Sequence, residues 1–162
     1  YWKDVGTISS LWEANMEVLD PEHSGIDVFD ENWKVYSRNS GMTGHRILGD
    51  AKVENSLITD GCCIEGDVKN SVLFAGVKVE PGAVVEEAVV MGGTVIRKGA
   101  VVKHCIVAEN CEIGEGAVVG AMPQTEENNV ATIGSGVVIG KNAVIGSKAM
   151  VYENVKGGEE KW

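Results

Sequence analysis

The chain has 162 residues and a formal net charge of −10 with no basic arm or Arg-rich helix, which argues against binding to nucleic acid. It contains no run of about 20 apolar residues and no secretory signal, so we expect a soluble cytoplasmic protein with no membrane partner. An apolar fraction of 44% with only 6% aromatic residues suits one narrow core packed by Val, Ile and Ala.

Residues 1–20 have the pattern of a strand end, a turn and a helix. Ser10 followed by Glu13 predicts a capping box at the start of an amphipathic helix, and Pro21 stops it. Because this helix has no core of its own, we expect residues 1–20 to be the C-terminal remnant of a larger domain. Its apolar side would be formed by Leu11, Trp12, Met16, Val18 and Leu19.

Residues 21–46 have the pattern of a linker. Extended segments are predicted at 26–28 and 33–36, and an irregular loop at 39–44. We expect this linker to cover the open end of the repeat region that follows it.

Residues 47–155 repeat a six-residue phrase, most regularly at Ile133, Ile139, Ile145 and Val151. The aliphatic residue at position i and the small or apolar residue at i+4 share one face of a strand, because neighbouring side chains alternate. Three such faces would close a triangular coil, and coils would stack at about 4.8 Å. The sequence therefore predicts an all-β fold, a parallel β-helix of hexapeptide repeats preceded by a short α-helical segment.

The length of one coil can be read from equivalent positions. Leu73, Val90 and Val107 are evenly spaced along the chain, and each interval divides into steps of six, six and five. The segment 56–58 (SLI) begins the same face one shortened coil earlier. Glycines fall at or beside the predicted corners, where positive φ favours a residue without Cβ.

Residues 120–132 interrupt the hexads. The step from Val119 to Ile133 is longer than two hexads, and the intervening polar residues predict a loop that projects from a corner. After the repeats, residues 156–162 are predicted to be a tail that folds over the last coil.

Four cysteines stand at 62, 63, 105 and 111. Cys62 and Cys111 lie at the i+4 position after inward aliphatic residues, so they occupy the small inward slot that Ala fills elsewhere. We expect buried thiols in a reducing compartment, and adjacent Cys62 and Cys63 lack the spacing of a metal site.

Two parts of the chain together resemble one family. Residues 1–8 (YWKDVGTI) and 11–16 (LWEANM) are similar to the last segment of the catalytic domain of bacterial ADP-glucose pyrophosphorylases, also called glucose-1-phosphate adenylyltransferases. In that family a linker similar to 33–39 (WKVYSRN) leads to a left-handed β-helix with phrases similar to 70–74 (NSVLF) and 88–91 (AVVM). Hexapeptide repeats alone are generic, so the junction of both parts carries the resemblance, which covers nearly the whole chain.

The resemblance implies nucleotidyl transfer from ATP to glucose 1-phosphate, which releases pyrophosphate and gives ADP-glucose for glycogen synthesis. It implies Mg²⁺ as cofactor, Asp4 as a catalytic and metal-binding residue, and Trp2 as a substrate-binding residue beside the sugar phosphate. The family's Gly-rich nucleotide loop, its basic residues and its first metal aspartate are absent from this sequence, so we expect the fragment alone to be inactive. The intact Asp4 favours the catalytic type of subunit over a related noncatalytic one.

The resemblance also implies that the β-helix builds a homotetramer and helps to form allosteric sites. Candidates for binding an anionic effector are Arg97, Lys98, Lys103 and His104, with Arg46 at the entry to the first coil. The alternative is that these are ordinary solvated residues at the corners.

Other classes of protein remain open. Trimeric hexapeptide acyltransferases share the predicted prism and use a projecting loop, an acyl donor such as acetyl-CoA and a histidine base between subunits. His104 is the one histidine within the repeats, but acyl transfer leaves residues 1–8 unexplained. A pyrophosphorylase for a different sugar phosphate and a purely structural assembly platform are further alternatives.

Overall fold

A computed structural model describes residues 1–36, 39–124 and 129–162 of the chain. These residues contain two helices followed by short strands. The elements are α1 (Ile8–Glu17), α2 (Pro21–Ser24), β1 (Arg46–Ile47), β2 (Val53–Glu54), β3 (Leu57–Ile58), β4 (Cys63–Ile64), β5 (Asp67–Lys69), β6 (Val72–Leu73), β7 (Lys78–Val79), β8 (Val84–Val90), β9 (Val95–Ile96), β10 (Val101–Val107), β11 (Glu112–Ile113), β12 (Val118–Val119), β13 (Ala131–Ile133), β14 (Val138–Ile139), β15 (Val144–Ile145), β16 (Met150–Val151) and β17 (Glu160–Lys161). Neither helix in these ranges has the length and apolar character that crossing a membrane requires.

The strands form three parallel ladders, one on each face of a solenoid. Face A stacks β1, β4, β7, β9, β11 and β14. Face B stacks β2, β5, the first halves of β8 and β10, then β12, β15 and β17. Face C stacks β3, β6, the second halves of β8 and β10, then β13 and β16. All of these pairings are parallel, so the predicted all-β, parallel β-helix with a preceding helical segment is confirmed.

The core is a column of aliphatic side chains that point inward from all three faces. Ile96, Ile113 and Ile139 follow one another on face A and are 0% exposed. Burying one such side chain stabilises the fold by about 1.5–3 kcal/mol, so the column is the main source of stability. The small inward slots are filled by Cys62, Ala83, Ala100, Cys111, Ala117 and Ala143, as the hexad pattern predicts.

Most coils have the length that the sequence predicts. Val90 pairs with Val107, one full coil further on, and Leu57 pairs with Val72, which confirms the shortened coil. The shortening occurs at the corner between faces A and B, where the step from the inward Ile64 to the next inward residue, Val68, is shorter than a hexad. Val68 is 1% exposed, and a strict count of six misses it.

The interruption of the hexads is a single enlarged corner. Val107 pairs directly with Ile133, so the segment from Val119 to Ile133 replaces one short step between faces B and C and not two hexads. The prediction that this segment corresponds to two hexads was therefore wrong. The coil to which a residue belongs is set by the strand with which it pairs in the neighbouring coil, and not by the number of residues between strands. Residues 125–128 of the predicted polar loop lie outside the described residues.

The corner between faces B and C carries a stack of polar side chains in place of glycine. Asn55, Asn70, Glu87 and His104 occupy equivalent positions in successive coils and have φ values of 40°, 44°, 50° and 45°. We call these four residues the corner column. Asn55 Nδ2 donates to Asn70 Oδ1 at 3.0 Å, so side-chain hydrogen bonds connect coils at this corner.

Helix α1 begins earlier than predicted. Thr7 is the N-cap: its side chain accepts a hydrogen bond from the backbone N–H of Ser10, and the Ser10 hydroxyl accepts one from the Thr7 N–H, both at 3.1 Å. Ser10 therefore stands at the third helical position, where a capping box usually has Glu or Gln. Because Ser occupies this position, the usual capping-box pattern does not indicate the residue at which the helix begins. The extended segments predicted at 1–5, 26–28 and 33–36 pair with no strand in the described ranges and form none.

The described part of the linker leaves the end of the first coil exposed, contrary to the prediction, whereas the tail lies on the last coil as predicted. The linker lies against a corner, where the Gly61 N–H donates to the Thr43 carbonyl at 2.6 Å, and the inward Ile47 of the first coil stays 48% exposed. At the other end, the predicted tail adds β17 to face B, where Lys161 pairs with Ile145. A lysine in the inward row ends the apolar column.

Replacing Ile139 with alanine should lower the free energy of unfolding by about 2–5 kcal/mol, because buried methyl groups are lost and a cavity remains. The matched control is Val138→Ala in the same strand, since Val138 points outward and is 41% exposed; it should cost about 0.5 kcal/mol or less. Urea denaturation of the two variants measures both values. Equal losses would contradict the inward column.

Candidate functional site

The segment that precedes α1 holds the residues predicted to act in catalysis. Lys3 lies against α1, with its Nζ 2.6 Å from Glu17 Oε1 and 3.2 Å from Glu13 Oε2. Tyr1 donates a hydrogen bond from its hydroxyl to Glu17 Oε2. Trp2 and Asp4 are exposed, Trp2 by 83%. Residues 1–4 thus alternate, with Tyr1 and Lys3 turned to the helix and the two predicted site residues turned to solvent.

One of the two carboxylate oxygens of Asp4 accepts a hydrogen bond from the described residues. Its Oδ1 accepts a hydrogen bond from the Gly6 N–H at 3.0 Å, and no hydrogen bond to Oδ2 is seen among the described residues. An exposed carboxylate fits Mg²⁺ as one ligand, since this ion often takes one or two carboxylates together with substrate phosphates and water. In the described ranges no group of three His, Cys, Asp or Glu side chains could hold a metal, so this part of the chain offers one ligand and not a complete site.

A partly buried polar cluster joins α1 to the solenoid. Trp12 donates from Nε1 to the carbonyl oxygen of Glu87 at 2.7 Å, and its ring lies 4.3 Å from the His104 ring between centroids. Nδ1 of His104 lies 3.1 Å from Glu87 Oε2, and the His104 side chain is only 3% exposed. Two residues of the corner column, Glu87 and His104, therefore contact Trp12, and His104 is not the solvated residue of the alternative interpretation.

Apolar packing surrounds this cluster. Val89 and Ile106 point outward on face C, yet they are buried beneath Ile8, Leu11, Trp12 and Met16 of α1. The sequence carried a signal for this contact, because both residues of Val89-Val90 and of Ile106-Val107 are apolar. A strand that is apolar on both faces is typical of a sheet that is covered on both sides.

The basic effector candidates do not form one cluster. Arg97 and Lys98 lie at the corner between faces A and B, and Lys103 and His104 at the other end of face B. Arg46 starts β1 in the first coil, where its Nη2 lies 3.9 Å from Cys63 Sγ. Lys98 and Arg46 are exposed, whereas His104 is buried.

Two of these cations are paired with glutamates of adjacent coils. Arg97 contacts Glu80 Oε1 at 2.8 Å through Nη1 and Glu112 Oε1 at 3.0 Å through Nε, and Lys103 contacts Glu86 at 2.8 Å. The hydrogen bonds with Glu112 and Glu80 raise the pKa of Arg97. The hydrogen bond from Arg97 lowers the pKa of Glu80.

The spacing of the sequence contains a signal for these ion pairs. The two members of each pair are separated by one full coil, the same interval that separates Val90 from Val107; the pairs are Glu80 and Arg97, Glu86 and Lys103, and Glu87 and His104. If the coil length is applied to the outward residues as well as to the core residues, the two members of each pair fall on adjacent coils.

The cysteines have the structural role that was predicted. All four are free; Cys62, Cys105 and Cys111 are buried, and Cys63 is half-buried. Burial raises the pKa of Cys105 to about 12, so this thiol stays protonated and unreactive at neutral pH.

Comparisons with known proteins agree with the fold and with the resemblance. A protein-family model described as GlmU-like, C-terminal hexapeptide matches residues 44–140. The glucose-1-phosphate adenylyltransferase of Bacillus mycoides (strain KBAB4) is 58% identical over 85 residues, which cover 52% of this chain and 22% of that protein. Proteins of the same name from Bacillus anthracis (56% over 85 residues, 52% and 22%) and Geobacillus stearothermophilus (51% over 86 residues, 53% and 22%) are also similar. The matches thus span about a fifth of the length of these relatives.

Arg97→Met should lower the free energy of unfolding at pH 7 by up to about 1 kcal/mol, because its ion pairs are partly exposed. The pKa of Glu80 is lowered in the folded chain, so this contribution is present above the unfolded value of about 4.3 and is lost as pH falls below it. We therefore expect the difference from the wild type to shrink between pH 5 and pH 3 in urea titrations. Lys98→Met at the same corner is the control, and a difference independent of pH would contradict the assignment.

Proposed function

The chain belongs to the GlmU-like, C-terminal hexapeptide family, and we propose that it is part of a glucose-1-phosphate adenylyltransferase. The observation that carries this proposal is the pair of exposed residues, Trp2 and Asp4, in a segment that contacts α1, the helix that packs on the β-helix. The relatives named above carry this enzyme name and supply independent support. Because ATP and sugar phosphates are cytoplasmic metabolites, the proposal places the parent enzyme in the cytoplasm.

In the proposed reaction, a phosphate oxygen of glucose 1-phosphate bonds to the α-phosphorus of ATP, and the bond from that phosphorus to the bridging oxygen of pyrophosphate breaks. The products are ADP-glucose and pyrophosphate. Asp4 would hold Mg²⁺, which neutralises charge on the phosphate oxygens when bound. Trp2 would contact the glucose 1-phosphate. The nucleotide-binding residues would come from outside residues 1–162, so these residues alone would be inactive.

The β-helix would serve assembly and regulation in this proposal. Its flat faces are suited to contacts within a homotetramer. Lys98 and Arg46 are the most accessible of the candidates for an anionic effector, and Arg97 and Lys103 would first have to leave their glutamate partners. His104 would act by supporting Trp12 and not by touching an effector, because it is buried.

Acyl transfer is less well supported. A catalytic base must reach the proton that it removes, but His104 lies beneath Trp12 with its side chain 3% exposed. Acyl transfer also gives no role to Trp2 and Asp4. Transfer to a different sugar phosphate would use the same residues and is distinguished by the substrate test below.

The test joins this chain to the upstream region of a similar enzyme and measures pyrophosphate release from a panel of nucleoside triphosphates and sugar phosphates. We expect the highest rate with ATP and glucose 1-phosphate, and a loss on the order of 100-fold or more in Asp4→Asn, because even supporting residues of metal sites cost about 10–100-fold. Asp50→Asn, an exposed aspartate of the first coil, is the matched control and should keep full activity. Full activity of Asp4→Asn, or acyl transfer from acetyl-CoA, would overturn the proposal.

The same protein tests the regulatory role. Lys98→Glu should weaken activation or inhibition by anionic metabolites about tenfold without changing the unregulated rate, whereas Lys34→Glu in the exposed linker should not. An unchanged response in Lys98→Glu would remove this residue from the effector site.

A further inference from the structure

Within residues 1–162, the segment that carries Trp2 and Asp4 contacts α1 through side chains. Residues 1–5 form no strand, and their side-chain hydrogen bonds to the end of α1 come from Tyr1 and Lys3. Lys3 bridges two carboxylates of that helix, Glu13 and Glu17, which lie one turn apart. The Lys3 side chain is 23% exposed, so this contact is partly withdrawn from solvent.

The charges of this contact support each other. The Lys3 ammonium lies 2.6 Å from one carboxylate and 3.2 Å from the other, so both contacts join opposite charges at hydrogen-bond distance. Because Lys3 is bonded directly to Asp4 and to Trp2, fixing its side chain on α1 restricts the positions that these two neighbours can take.

Helix α1 is in turn fixed on the solenoid. Its apolar side covers Val89 and Ile106. The hydrogen bond from Trp12 to the carbonyl oxygen of Glu87, 2.7 Å long, is directional and sets the position of the helix along the solenoid axis. The His104 ring adds a second contact, with its centroid 4.3 Å from that of the Trp12 ring.

We propose that Lys3 and Trp12 are positioning residues: Trp12 places α1 on the corner column, and Lys3 places the segment with Asp4 and Trp2 on α1. This inference rests on the proposed function for the role of Asp4. It makes the β-helix part of the active-site scaffold, because a rigid element then sets the geometry of a metal ligand that it does not touch.

The experiment compares Lys3→Met, Lys3→Arg and the matched control Lys34→Met in the protein that carries the upstream region. In Lys3→Met we expect the Mg²⁺ concentration for half-maximal activity to rise, and kcat to fall, on the order of tenfold each, with the KM for ATP nearly unchanged. Lys3→Arg keeps the charge and should restore most of both values. Lys34→Met should resemble the wild type.

A second variant tests the other contact. Trp12→Phe keeps an aromatic ring against His104 but removes the indole N–H that donates to Glu87. We expect the Mg²⁺ concentration for half-maximal activity to rise in this variant as well. If Lys3 and Trp12 both act on Asp4 through α1, the loss of kcat in the double variant should be smaller than the two single losses combined. Fully additive losses would mean that the two residues act independently, which would contradict the proposal.

A measurement on residues 1–162 alone separates this inference from the proposed function. The backbone ¹⁵N heteronuclear NOE of residues 2–5 should fall in Lys3→Met and stay unchanged in Lys34→Met, with the β-helix amides unaffected in both. Absence of ADP-glucose formation by the wild-type enzyme would refute the proposed function, whereas unchanged order at residues 2–5 in Lys3→Met would refute the positioning role. A uniform loss of stability without a change in Mg²⁺ requirement would also refute it.

Discussion

The constraint on which the whole structure depends is the parallel hydrogen-bonded ladder between successive coils. Each inward aliphatic side chain must lie on the equivalent residue of the coil before it, as Ile113 lies on Ile96 and Ile139 on Ile113. The ladder fixes outward residues with the same register, so that positions one coil apart become neighbours at about 4.8 Å. The core and the polar contacts of the surface therefore obey one rule.

The register of the parallel ladder also brings the residues of the candidate site together. Glu87 and His104 are neighbours because they are one coil apart, and together they form the seat on which Trp12 fixes α1. Two outward aliphatic residues of the same strands, Val89 and Ile106, complete the surface that the helix covers. The segment with Asp4 then takes its position from α1. A chain of short contacts thus connects the rigid solenoid to the residues proposed to bind metal and substrate.

The inward rows could be predicted from the sequence because aliphatic periodicity reports directly on burial. The shortened coil was also predictable, but Val68 and the single enlarged corner after Val119 were not, since both depend on which strands pair and not on a count of six. Trp2 and Asp4 could be identified only through resemblance to a family. Trp12 could be predicted only as part of the apolar side of the helix, and Lys3 could be given no role, because their contacts depend on where α1 docks and nothing in the hexads indicates that position. His104 looked solvated, since the burial of an outward residue depends on what packs over it.

The most direct test of this account is a methyl NOE measurement on the chain with ¹³C-labelled isoleucine δ1 groups. We predict contacts between Ile96 and Ile113 and between Ile113 and Ile139, although the second pair is separated by the enlarged corner. No contact is expected between Ile96 and Ile139, which lie two coils apart, at about 10 Å. Absence of the contact between Ile113 and Ile139, with these side chains exposed to solvent, would contradict the stacked column and the site that is built on it.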